Sequence, residues 1–342
     1  MKILIIGPSW IGDMVMSQGL YTTLKEQYPN CSIDVIAPNW CKPILSRMVE
    51  IENIIEMPLG HGQFSFFKRR EIGKALIKNN YQQAFILTNS AKSALIPFFA
   101  NIPKRIGWKG EFRYGLLTDL RTNRKAFSLM IERYIALAYP KAEMTGSGSI
   151  KKLPSPSLFI DKEAQLACFN KFALTASENI IGLCPGAEFG PAKRWPEGHF
   201  ATLAKMLIEQ GEQVWLFGSE KDKPVTEQIK ATLSPEQQKQ CVDLAGRTNL
   251  IEAVDLMAAC NTVVSNDSGL MHIAAAVGCK VVALYGSTSP GYTPPLTEKV
   301  KILHTDIECR PCFKRECPLK HLKCLTEISA DQVFAAINEL KG

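Results

Sequence analysis

The sequence predicts an α/β protein made of two doubly wound, parallel-sheet domains facing each other across a cleft. Three observations lead there. Short apolar runs alternate with helical stretches through residues 2–88, and the same alternation returns from about residue 161. Between them, YPKAEMTGSGSIKKLPSPS (139–157) is rich in Gly, Ser and Pro, which is linker chemistry. The expected domains are therefore 1–155 and 156–329, with a last helix beyond.

Taken in order, KILIIG (2–7) reads as a strand, followed by a loop and a helix around 16–27. SIDVIA (32–37) is a second strand with a helix near 40–48, and 54–57 is a third with a basic helix at about 67–79. QQAFILT (82–88) is a fourth. Beyond the linker, a helix at 161–174 precedes the strand NIIGLCPG (179–186) and the helix HFATLAKMLIEQG (199–211). QVWLFGS (213–219), a helix at 222–232, CVDLAG (241–246) and the helix 250–261 follow. TVVSND (262–267) and KVVALYGS (280–287) then flank a helix at 269–277. Continuous apolar strands spaced by helices belong to parallel sheets covered on both faces. Ligands bind at the strand C-terminal ends of such sheets.

At 342 residues, 46% hydrophobic and 21% charged, the chain has the composition of a soluble globular protein. No apolar run reaches the roughly 18–20 residues of a membrane-spanning helix. MKILIIG is too short for a signal peptide's apolar region and reads as a buried strand, so a cytoplasmic protein is expected. The net charge of +7 is uneven. Residues 1–160 carry 21 Lys and Arg against 11 Asp and Glu, whereas the rest carries 19 against 22. A basic first half suits an anionic partner such as a phosphorylated lipid, a membrane surface or nucleic acid, or is simply a solvated face.

Three loops carry candidate chemistry. In GPSWIGDMVMS (7–17), Gly7 and Gly12 have the spacing of a phosphate-binding loop, but Asp13 stands where that loop needs a lysine. A carboxylate at a helix entrance serves as an N-cap or as a general base. PGAEFGPAKRW (185–195) offers Gly186 and Gly190 for close backbone approach, with Lys193 and Arg194 as cations suited to a diphosphate leaving group. In SNDSGLMHIAAAVG (265–278), Asp267, Ser268 and Gly269 open a helix whose N-terminus attracts anions, and His272 lies three residues further. Glu220, after QVWLFGS, could meet ribose or sugar hydroxyls or cap the next helix.

Together these segments resemble glycosyltransferase family 9, the heptosyltransferases. The matching pieces are the N-terminal GDxxxS, PGAxxGxAKRWP, LFGSxxD and NDSGLMHIAAAxG, in the family's order and over nearly the whole chain. CRPCFKRECPLKHLKC (309–324) resembles heptosyltransferase II sequences more than heptosyltransferase I sequences.

The resemblance implies a GT-B fold of two Rossmann-like domains, with a final helix (about 330–342) crossing back onto the first. It implies inverting transfer of heptose from ADP-L-glycero-beta-D-manno-heptose to the heptosyl-Kdo2-lipid A inner core of lipopolysaccharide, at the cytoplasmic face of the inner membrane. Asp13 would deprotonate the acceptor and Lys193 neutralise the diphosphate. Ser268, Gly269 and His272 would hold the phosphates, Asp267 would face donor hydroxyls, Glu220 would hold the ribose, Thr248 would meet the adenine region, and Gly186 is a further donor-binding residue. Lys68, Arg69, Arg70, Arg105 and Arg113 are the candidate contacts to a phosphorylated acceptor. No cofactor or catalytic metal is implied.

Seven cysteines are scattered singly and read as reduced core residues, whereas Cys309, Cys312, Cys317 and Cys324 cluster around His321. Their spacing is compatible with zinc, but the run lacks two clean CxxC knuckles, so reduced thiols in a packed loop are expected. Two other readings compete with heptose transfer: a GT-B transferase using another sugar nucleotide, and a nucleic-acid-binding protein. The second is disfavoured because the cysteines lie in the acidic half and most aromatics fall within apolar runs. A dehydrogenase would need the G-x-G-x-x-G loop that the chain lacks.

Overall fold

In the computed structural model, which describes residues 1–60, 62–175, 177 and 179–342, the chain divides into two units, Met1–Pro156 and Ser157–Gly342. The first holds strands β1 (Lys2–Ile6), β2 (Ser32–Ala37), β3 (Asn53–Glu56), β4 (Gln83–Ile86), β5 (Lys104–Trp108) and β6 (Asp119–Arg121). They pair in parallel in the order β3-β2-β1-β4-β5-β6. The chain therefore reverses its winding between β1 and β4. That switch point opens a crevice at the strand ends.

β1 has Ile3, Leu4, Ile5 and Ile6 buried, as a central strand covered on both faces requires. Leu4, Ile6, Ile36, Ala84 and Ile86 pack against Leu76, Ile96 and Ile102. Burial of each such side chain contributes about 1.5–3 kcal/mol. β5 and β6 were not expected, because KRIGW and DLR lack the apolar runs that mark buried strands. β6 is the edge strand, where polar residues are tolerated, whereas β5 is paired on both sides and buries only its last three residues, Ile106, Gly107 and Trp108. The first helix, Ile11–Gln27, starts five residues before its expected position, which draws Asp13 out of the loop and into its first turn.

The second unit repeats the arrangement with β7 (Ile180–Cys184), β8 (Gln213–Leu216), β9 (Cys241–Asp243), β10 (Thr262–Asn266), β11 (Lys280–Leu284) and β12 (Val300–Leu303). The order β12-β11-β10-β7-β8-β9 is again parallel, and again switches between its first and fourth strands. Two loops consequently converge there: the one after β7, carrying Lys193, and the one after β10, carrying Asp267 and His272.

The last helix, Ala330–Lys341, packs within the second unit: its Val333, Ala336 and Ile337 belong to that unit's core, with Trp195, Phe200 and Leu284. A Ser329–Gln332 capping box starts it, and Lys341 pairs with Glu212 at 2.5 Å near its end. Its apolar face is thus satisfied locally. The seven scattered cysteines are all buried, and burial pushes the Cys241 and Cys279 thiols up to about 12.

Candidate active site

In the first unit, Asp13 is the third residue of helix Ile11–Gln27. The capping position belongs to Trp10, whose side chain makes no capping bond, so Asp13 is not the N-cap. The helix dipole favours a carboxylate in this first turn. The Tyr134 hydroxyl, on helix Met130–Ile135, donates to Asp13 Oδ1 at 3.3 Å. One turn further on, Ser17 is buried and bonded to the Met14 carbonyl and the Tyr21 hydroxyl, so the serine of GDxxxS is structural.

The five candidate acceptor cations separate into two groups. Arg69 and Arg113 are buried; Arg69 donates to the Gln63 and Phe64 carbonyls, and Arg113 to those of Trp108 and Thr88. Arg105 spends its guanidinium on the Ile102 and Leu116 carbonyls and lies over the Phe98 ring. Lys68 and Arg70 remain exposed, with Lys68 paired to Glu71 at 3.0 Å. A sequence count of charges cannot separate cations that tie backbone together from cations that meet solvent. Arg113 acquires a different interest, because Thr88 closes β4 at the switch point. There the Thr88 Oγ1 and Asn89 Oδ1 atoms are buried without a hydrogen-bond partner, polar groups that sequence reading missed.

In the second unit, Lys193 Nζ reaches Asp267 Oδ2 at 2.6 Å and the Asp267 carbonyl at 3.3 Å. The Thr288 hydroxyl, just past β11, donates to the same carboxylate oxygen at 2.5 Å. Ser268 stands at the N-cap position of helix Gly269–Ala276 without a side-chain capping bond, leaving that helix's first amides at the site. His272, 5% exposed, lies one turn in. Burial lowers its pKa to about 4; nearby Asp267 raises it and Lys193 lowers it further. At neutral pH it is therefore an uncharged hydrogen-bond donor. Lys193 also lies over the Phe189 ring at 5.0 Å, with Arg315 on the same ring at 5.3 Å.

Asn266 is another residue the sequence reading missed. Fully buried, it donates from Nδ2 to the Pro185 carbonyl at 2.7 Å and accepts from the Trp195 amide at 3.0 Å. It thus ties both ends of the Lys193 loop to the end of β10. The signal was a polar residue closing an apolar strand. The glycines of that loop serve protein contacts: a Cβ at Gly186 would lie 2.5 Å from the Asp222 carboxylate, and one at Gly190 would lie 2.5 Å from the Arg315 carbonyl. Glu220 and Thr248 are not drawn into the cluster. Glu220 is exposed and pairs with Lys223 at 2.9 Å, while the Thr248 hydroxyl turns back to the Leu244 carbonyl at 3.4 Å.

A half-buried lysine on a buried carboxylate, a neutral histidine and a helix N-terminus at one switch point suit an oxyanion or phosphate group. Residues 69–323 match the model of glycosyltransferase family 9 (heptosyltransferase). The chain belongs to that family. Its relatives include lipooligosaccharide heptosyltransferase 2 of Haemophilus influenzae, 53% identical over 99% of both chains. Lipopolysaccharide heptosyltransferase 2 of Escherichia coli is 50% identical over 99% of this chain and 98% of its own. Among solved structures, the E. coli ADP-heptose lps heptosyltransferase II matches with a TM-score of 0.90 and 47% identity, over 99% of this chain and 98% of that one.

As a family 9 glycosyltransferase, the chain has two parallel six-strand sheets with flanking helices, the arrangement of the GT-B fold.

Proposed function

We propose that this enzyme transfers heptose from ADP-L-glycero-beta-D-manno-heptose to the heptosyl-Kdo2-lipid A inner core of lipopolysaccharide, with inversion at the anomeric carbon. The carrying observation is the Lys193–Asp267 pair beside neutral His272 at the start of helix Gly269–Ala276. In the proposed step, Asp13 takes the proton of the acceptor hydroxyl as its oxygen bonds to the anomeric carbon. The bond from that carbon to the diphosphate oxygen breaks, and ADP leaves with the electron pair. Lys193, the Ser268 hydroxyl, the amides at Gly269 and the His272 N–H meet the growing negative charge, which is where preorganised donors act most strongly. Asp267 orients Lys193 and, with Thr288, faces sugar hydroxyls; Gly186, Glu220 and Thr248 are assigned to the rest of the nucleotide. The displacement step needs no metal in this scheme, and omitting magnesium should leave the rate unchanged.

The acceptor is a phosphorylated lipid, and the enzyme is read as cytoplasmic and peripheral at the inner membrane. The excess of ten positive charges in residues 1–160 supports this. So does the helix Phe66–Leu76, where exposed Lys68, Arg70 and Lys74 stand beside a ring cluster that includes Phe64, Phe66 and the 81%-exposed Phe67. Among the described residues, no helix is long and apolar enough to cross a membrane. Incubation of a truncated lipid A acceptor with ADP-heptose, read by mass spectrometry, tests the assignment: a single added heptose is expected. Transfer from a UDP-sugar instead, with none from ADP-heptose, would place the enzyme with the alternative donors.

A further inference from the structure

The segment after β12 brings its cysteines together in space. Cys309, Cys312, Cys317 and Cys324, with His321, line one cavity of about 20 Å³. Cys324 is buried and Cys312 and Cys317 are half-buried, while Cys309 reaches the surface. Phe313, directly after Cys312, and Lys320 and Leu322, after Cys317, adopt φ of 55°, 57° and 51°, so the chain turns tightly beside both cysteines.

Two further observations concern charge. The Ser287 hydroxyl, 1% exposed, lines the same cavity with no hydrogen-bond partner. A buried donor without an acceptor is costly, and a neighbouring thiolate would supply one. Residues 309–324 also hold five Lys and Arg against one Glu, and Arg310 is half-buried at the cavity wall. Four thiolates around a divalent cation carry two net negative charges, which this basic shell would balance. The His321 Nδ1 accepts from the Lys323 amide at 3.0 Å, so that nitrogen is already engaged and is not counted as a ligand.

We propose that Cys309, Cys312, Cys317 and Cys324 bind one thiophilic divalent cation, zinc or iron(II), in a tetrahedral four-thiolate centre with a structural role. Each sulfur–metal bond replaces an S–H bond, the four protons pass to solvent, and nothing is oxidised. Among the described residues, no three such donors are arranged as a finished metal site, so the thiols must rotate to converge.

The centre would brace the loop that carries Lys193, a consequence that rests on the functional reading above. The Arg315 carbonyl accepts from the Ala192 amide at 3.0 Å, the Phe313 amide donates to the Ser287 carbonyl at 2.8 Å, and the Ser287 amide to the Ala192 carbonyl at 3.2 Å.

The test is elemental analysis of the full chain purified with reductant and without chelator. About one equivalent of zinc or iron per chain is expected, the element itself telling which. Mercurial treatment should release it, and cobalt substitution should give the intense visible bands of a tetrahedral thiolate site. Cys317→Ser should purify nearly metal-free, whereas Cys279→Ser, at a buried thiol elsewhere, should keep its metal. A wild-type chain that stays metal-free after anaerobic incubation with both cations overturns the proposal, as does a disulfide joining any two of the four cysteines. ADP binding should weaken several-fold on metal release. Unchanged binding with the metal gone would overturn the brace but leave the site, and failure of heptose transfer would leave the metal count unaffected.

Discussion

Lys193 and Asp267 form a 2.6 Å ion pair across 74 residues of chain, and both are largely withdrawn from solvent, at 14% and 4% exposure. The parallel pairing of β7 with β10 makes them neighbours. Thr288 holds the same Asp267 oxygen, so the carboxylate keeps one partner if the lysine is lost. Lys193→Met should lower kcat by about 10²–10³, the usual cost of removing one donor from a developing anion. Arginine should restore little, because its planar fork does not reproduce a point charge. Steady-state kinetics with ADP-heptose decide, and a variant within a few-fold of wild type would contradict the role.

Asp13→Asn should leave ADP binding and the melting temperature near wild type while lowering kcat by about 10²–10⁴, the usual range for loss of a general base. Tyr134→Phe removes only the hydroxyl that donates to Asp13, so its effect on kcat should be smaller. Calorimetry with ADP and a rate assay separate the two effects. Equal losses of binding and turnover in the Asp13 variant would point to a folding defect.

His272 predicts a dependence of stability on pH. Its folded pKa of about 4 lies below the unfolded value near 6.5, so between these values the unfolded chain binds the extra proton. Stability from this residue is full above about pH 6.5 and is lost as the pH falls toward 4, by an order-of-magnitude 3 kcal/mol. Urea unfolding at pH 7 and pH 4.5 should show the loss, and His272→Gln should flatten it. ADP binding should show no titration near pH 6.5, since the ring is neutral on both sides of that value.

Asn266→Leu should be among the more damaging single changes in the second unit. It leaves the Pro185 carbonyl and the Trp195 amide without their partner, and each buried unsatisfied group costs about 1–3 kcal/mol. Because both bonds hold the Lys193 loop, ADP affinity should fall with the melting temperature. A stable variant with ordinary ADP affinity would show that the loop is held by its other contacts.

Much of the architecture was legible in the chain. Apolar runs such as KILII and KVVAL are central strands because burial on both faces demands continuous apolar residues. The donor cluster was legible as well, since glycine turns and a Ser-Gly helix start directly after such strands have a local signature. The strands KRIGW and DLR were not, because DLR is a short polar edge strand and KRIGW opens on two cations before its three buried residues, so neither shows a continuous apolar run. Nor was the division among the cations, since Arg69 and Arg113 differ from Lys68 and Arg70 only in the carbonyls that surround them.

The sequence by itself determined the two parallel sheets, the family motifs and the chemical identity of the groups at the strand ends, because these depend on periodicity and local turn chemistry. Tertiary structure alone decided that Asn266 ties down the Lys193 loop, that the final helix joins the second core, and that four cysteines share one cavity. Those relations join residues distant in the chain, and only the strand order brings them within reach of a hydrogen bond or a shared apolar face.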